Sequence, residues 1–298
     1  MTDGSDDGAP TTRRRLLGAG GAALGGVLAG CSAVADAERR STTERRTVDA
    51  STVSTLAVTD ATGDISFRSK PRDDIEVVAR KHALGGVSLD ELDATVRVAD
   101  DRLEVTTGEP RIFGFGGGRV DVEIHAPPSV AVDRLHTADG DVHAASVPDG
   151  ATLVTSDGDV SVTDARGAVA VESRDGDVDI DGTGGPVSAT TSDGTIRVRS
   201  PGRVETLRTR DGDVVADVPA VVEDAVVESS DGDLSLRLGE GLSAALTART
   251  HDGEVSVTNA GSSFRVRERT ETRLRAAVND GDAVLTARTN DGDVAIRA

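Results

Sequence analysis

Tryptophan and tyrosine are missing from this 298-residue chain, and only four phenylalanines are present, Phe67, Phe113, Phe115 and Phe264. A deep core filled by aromatic rings is therefore excluded, and the interior has to be layered from Val, Ala, Leu and Ile. A single cysteine, Cys31, excludes an intrachain disulfide framework. Lysine is confined to Lys70 and Lys81, so nearly all positive charge is arginine. Base is scarce altogether: 33 Lys and Arg stand against 52 Asp and Glu, a net charge of −19. Nucleic acid binding needs a basic surface, so no nucleic-acid partner is expected. Helical apolar periodicity is also wanting, and with it the amphipathic helix as a building element.

Long apolar runs are lacking too. The one candidate is "TRRRLLGAGGAALGGVLAGC", Thr12 to Cys31. Its uncharged stretch is about 15 residues long and rich in glycine, short of the roughly 20 apolar residues of a membrane span. Arg13 and Arg14 in front of it resemble a twin-arginine export signal. Leu28-Ala29-Gly30-Cys31 resembles a lipobox, where small residues admit the chain to a peptidase and the thiol accepts lipid. Residues 1–30 are thus expected to be a removable signal peptide, and Cys31 a lipid-carrying first residue of the mature chain. Residues 31–46, polar and without periodicity, read as a flexible tether, and 47–298 as the folded domain.

What is abundant is Asp-Gly. The glycines at Gly140, Gly158, Gly176, Gly194 and Gly212 are each 18 residues apart, and Gly232, Gly253 and Gly292 continue the motif at longer steps. Around each, apolar residues alternate with polar ones: Val169 and Val171 before Gly176, Val178 and Ile180 after it. That is the pattern of strands with one buried face. Looser breaks such as "TDARG" (163–167) and "DGTGG" (181–185) divide the rest of each unit. The fold class is all-β. A single-stranded parallel β-solenoid (β-helix) with coils of about 18 residues fits best, because stacked coils must keep a constant length. The alternative is an antiparallel β-meander in which Asp-Gly makes hairpin turns.

At a corner, glycine is expected to supply positive φ, and the aspartate before it to bond the backbone just ahead. The acid after the glycine, Asp141, Asp159, Asp177, Asp213, Asp233 or Glu254, is left over. Stacked about 4.8 Å apart, such carboxylates would repel by roughly 0.9 kcal/mol per neighbour in water. Concentrated salt would screen that repulsion. Many acids, hardly any lysine and small apolar residues resemble the proteins of salt-loving archaea.

The stretches "LAVTDATGDISF" (56–67), "DIEVVARK" (74–81), "VDVEIHAPPSVAVDRLHTADGDV" (120–142) and "AVLTARTNDGDVAIR" (283–297) resemble a bacterial and archaeal family of adhesin-like proteins of unknown function, named for its β-strand repeats. The likeness runs from about Leu56 to Ala298. It implies an elongated, solenoid-like all-β domain at the cell surface, with no catalytic residues to transfer.

The expected function is therefore non-enzymatic: a lipid-anchored protein on the extracellular face of the membrane, held through Cys31. Its role would be structural, adhesive or presenting, toward an envelope protein or glycan. No cofactor is expected. The competing readings are a calcium-dependent surface module, with the ion between Asp-Gly-Asp corners, and an enzyme acting on envelope polysaccharide. Phe113 and Phe115 beside "GFGGGR" (114–119) offer a contact patch, whereas His136 and His143, a loose pair without a metal-ligand spacing, read as surface histidines.

Overall fold

The computed structural model describes residues 39–108 and 116–298. From Val142 to Arg208 the strands alternate between two sheets. Val142–Ala145, Val160–Ala165, Val178–Thr183 and Ile196–Arg199 belong to the first sheet. Ala151–Val154, Val169–Glu172, Pro186–Thr190 and Arg203–Arg208 belong to the second. Each strand pairs in parallel with its counterparts one coil away: Val178 faces Val160 and Ile196, and Val171 faces Leu153 and Ala189. This is the expected parallel β-solenoid. The meander is ruled out, since a hairpin at Gly176 would set Val171 against Ile180, and these residues lie in different sheets.

Alternation in the sequence becomes stacking in the core. One buried row of the first sheet reads Ile65, Val142, Val160, Val178, Ile196, Val214, Leu234, Val294 and Val255 in spatial order. The facing sheet buries Val58, Leu135, Leu153, Val171, Ala189, Leu207, Val227, Ala287 and Ala248. Burying a Val, Leu or Ile side chain contributes about 1.5–3 kcal/mol, so each coil adds a similar apolar layer. Two sheets packed at about 10 Å leave room for such side chains without rings. This accounts for the missing Trp and Tyr.

Both ends depart from sequence order. At one end, strands Thr55–Ala61 and Ile65–Ser69 lie between the coil holding Arg102–Thr107 and Gly116–Ala126 and the coil holding Ala131–Thr137 and Val142–Ala145. At the other, the final strands Ala283–Arg288 and Val294–Arg297 lie between those of 221–238 and 244–258. The lengthened step from Gly232 to Gly253 therefore does not connect stacked neighbours, because the corner of Gly292 sits between them. Antiparallel strands finish the sheets: Phe264–Arg269 and Arg273–Val278 beyond Ala244–Arg249, and Arg39–Asp49 beyond Asp74–Gly85.

The last of these corrects the boundary of the tether. Residues 39–46 are not flexible chain but most of an 11-residue strand in continuous register with Asp74–Gly85. Glu44 from this strand pairs with the buried Lys81. Its run of charged and polar residues, RRSTTERR, suits an unpaired sheet edge, where charge discourages further strand addition. Cys31, Arg13, Arg14 and the rest of residues 1–38 lie outside the described residues.

Because the final coil is interior, removing residues 280–298 takes out a middle layer rather than an end. Limited proteolysis of that truncated chain is expected to digest residues 240–279 while the coils before Leu238 stay protected. Protection of 244–278 equal to that of the full chain would show that the final coil is not needed beneath it.

Candidate functional site: the Asp-Gly corner ladder

Each Asp-Gly corner carries the chain from the second sheet to the first, and the corners stack into one continuous edge. The glycines are required there for a reason other than the expected one. Among the described glycines only Gly85 and Gly182 have positive φ, so the corner glycines do not serve left-handed geometry. They serve contact. A Cβ on Gly176 would stand 2.0 Å from the carbonyl oxygen of Gly158, and one on Gly194 would stand 2.0 Å from that of Gly176. The same crowding joins Gly158 to Gly140, Gly212 to Gly194, Gly232 to Gly212, Gly292 to Gly232 and Gly253 to Gly292. The opposite corner is no looser, since a Cβ on Gly184 would meet the Arg166 carbonyl oxygen at 2.3 Å.

Those carbonyl oxygens are bonded from the side by residues the motif had not drawn attention to. Three positions before each corner glycine stands Thr or Ser, and its hydroxyl donates to the glycine carbonyl one layer away. Thr155 bonds Gly140 at 2.9 Å, Thr191 bonds Gly176 at 3.1 Å, Thr209 bonds Gly194 at 2.9 Å and Ser229 bonds Gly212 at 2.8 Å. Thr289 and Thr250 do the same for Gly232 and Gly292, both buried. The repeat is therefore [Thr/Ser]-x-Asp-Gly, and its first member was visible in the sequence as a hydroxyl recurring with the glycine.

The acid after the glycine has a role of its own. Asp141 Oδ1 accepts from the Asp159 N–H at 2.9 Å, Asp159 from Asp177 at 2.8 Å, and Asp177 from Thr195 at 2.8 Å. The ladder resumes with Asp213 accepting from Asp233, Asp233 from Asp293 and Asp293 from Glu254. Glu254, the longest of these acids, occupies the last rung. The N–H of Thr195 first, and then the Arg197 guanidinium, hold the Asp177 carboxyl below the usual carboxylate range against the opposing effect of desolvation. These acids are backbone acceptors, not the salt-screened repulsive ladder expected.

Repulsion lies instead in the aspartates before the glycines. Asp139, Asp157, Asp175, Asp193, Asp211 and Asp231 form an exposed ridge. Desolvation, followed by the neighbouring Asp193 and Asp157 carboxylates, pushes Asp175 above the usual range. Asp211 is raised likewise by desolvation, Asp193 and Asp231. Among the described residues no three His, Cys, Asp or Glu side chains are grouped to hold a metal ion. His136 and His143 fall on different sheets, and His136 Nδ1 approaches Asp60 only to 3.8 Å. Phe113 and Phe115 lie outside the described residues. No helix among the described residues is long and apolar enough to cross a membrane.

Two measurements test the ladder. Gly176→Ala should cost at least about 2 kcal/mol, in the range of overpacking, whereas Gly261→Ala, with nothing within 4 Å of its Cβ, should be nearly neutral in denaturant melts. The charges give opposite signs. Asp177 has a depressed folded pKa, so its contribution is present above the unfolded value and is lost as pH falls through the folded one. Asp177→Ala is expected to lower stability at neutral pH by about 1 kcal/mol, less than a buried charged bond, since the side chain is 47% exposed. Asp211 has a raised folded pKa, so its ionisation opposes folding above that value. Asp211→Asn should raise the melting temperature at low salt, and 1 M potassium chloride should shrink the difference.

No curated protein matches this chain. Two solved structures are similar over 87% of it. One is a putative cell adhesion protein from Clostridium sporogenes, 10% identical, with 99% of that chain covered and a TM-score of 0.29. The other is a putative adhesin from Bacteroides fragilis, 13% identical, with 96% covered and a TM-score of 0.34. Residues 53–297, nearly all of the stacked coils, match the Toastrack DUF4097 family, and the chain belongs to that family.

Proposed function

We propose that this protein is exported, lipid-anchored through Cys31 on the outer face of the cell membrane, and acts there as a structural, adhesive or presenting element. The observation that carries the reading is the ordered series of Arg13-Arg14, a short apolar stretch and Leu28-Ala29-Gly30-Cys31 ahead of a domain built mainly of stacked β-coils. Such coils present long, regular faces, which suits display better than turnover. The reading is non-enzymatic. The acids after the corner glycines, which composition alone would offer for acid–base work, are taken up by backbone N–H groups. Its partner is an envelope protein or glycan.

Fractionation tests the anchor. The Cys31→Ser chain should leave the membrane fraction or persist as an uncleaved precursor, and Arg13→Lys with Arg14→Lys should block export. A Cys31→Ser chain that remains membrane-bound at the mature mass would overturn the reading.

A further inference from the structure

About half of the arginines among the described residues pair with a carboxylate. On the outer face of the first sheet Arg197 pairs with Asp177, Arg199 with Asp179 and Asp181, and Arg237 with Asp217. Near its end the second sheet sets two arginines that lack a carboxylate partner among the described residues directly opposite each other. There the register sets Glu228, Arg288, Arg249 and Arg273 side by side on four adjacent strands. Glu228 is the sole acid in the row, and it accepts from Arg288 at 2.7 Å and pairs with Arg208 at 3.5 Å. Arg249 and Arg273 pair with no carboxylate among the described residues. Four arginines against one glutamate leave a local charge of +4 − 1 = +3 in a chain whose net charge is −19.

Like charges on neighbouring strands destabilise a sheet, so this row has a cost that the fold does not require. Two further features give it a purpose. The Arg288 Nε is buried without an acceptor. Arg249, Arg273 and Arg288 also border a polar recess of about 520 Å³ whose wall includes Thr272, His251 and Asn290. Glu228 lines it as well, while the aspartates of the adjoining corners, Asp231, Asp252 and Asp291, do not. Guanidinium groups favour multi-oxygen anions, which they engage through paired N–H donors. The recess is within the size range of small-molecule sites and larger than a bare ion needs.

We infer that this recess binds a sulfate or phosphate group, with Arg249, Arg273 and Arg288 as the donors. The site stands whether or not the chain is lipid-anchored. An anionic envelope polymer bearing such groups is the source that would join it to the proposed surface role.

The test is calorimetric titration of the full chain with inorganic sulfate, inorganic phosphate and dextran sulfate, chloride holding ionic strength constant. Heat of binding is the readout, because sulfate raises melting temperatures by exclusion from any protein surface. Saturable binding of sulfate or phosphate is expected, weakened at least tenfold in R249Q/R273Q and kept in R237Q/R297Q on the other sheet. The singles R249Q and R273Q, each relieving one like charge, should fold and weaken binding threefold or more. Saturation by dextran sulfate, competed by free sulfate, would identify a polymer-borne group. Binding of the free ions alone would identify a small anion as the ligand and detach the site from the surface role. Absence of saturation with all three probes, or undiminished affinity in the folded single variants, would overturn the inference.

Discussion

Close contact between successive corner glycines is the constraint on which this structure depends. A carbonyl oxygen only 2.0–2.3 Å from where a Cβ would lie leaves glycine as the residue that fits between Gly140 and Gly253 along the stack. That contact aligns the layers, and two side chains reinforce it. A Thr or Ser hydroxyl satisfies the glycine carbonyl, and the following carboxylate satisfies an N–H of the next layer. Apolar rows then continue from coil to coil without slipping. A one-residue slip would turn every Val and Ile of a strand toward solvent.

The same edge divides its acids between two jobs that composition cannot separate. Those after the glycine are held in place as acceptors, and Asp177 is stabilised in its charged form. Those before it project as a ridge whose members, such as Asp175 and Asp211, resist ionisation. Salt screening acts on the repulsion within the second group, while the first group is held by hydrogen bonds to backbone N–H groups.

The repeated corner residues are taken up by contacts between layers. Membership of the Toastrack DUF4097 family fits a chain whose repeated residues serve stacking. A place where side chains break the repeat is the better candidate for recognition, and the arginine row beside Glu228 is one. It arises because the final coil lies inside the stack, which brings Arg288 next to Arg249.

Strand character and coil length are legible in the sequence, because alternation and an 18-residue repeat are local and periodic properties of the chain, and the constant step favours a parallel stack over a meander without deciding between them. The [Thr/Ser]-x-Asp-Gly hydroxyl was readable as well, although its partner one layer away was not. Other features depend on which residues meet across distance. Whether a corner glycine answers to φ or to crowding depends on the neighbouring layer, which a single unit does not contain. The placement of Ala283–Arg297 beneath Ala244–Thr258 joins residues some 40 positions apart. The pairing of Arg39–Asp49 with Asp74–Gly85 follows from a free sheet edge, so a polar, aperiodic stretch that resembles a tether is ordered by its neighbour's backbone. Repetition wrote the coils into the sequence, while their order at the two ends was settled only by packing, since apolar rows this alike distinguish one neighbour from another weakly.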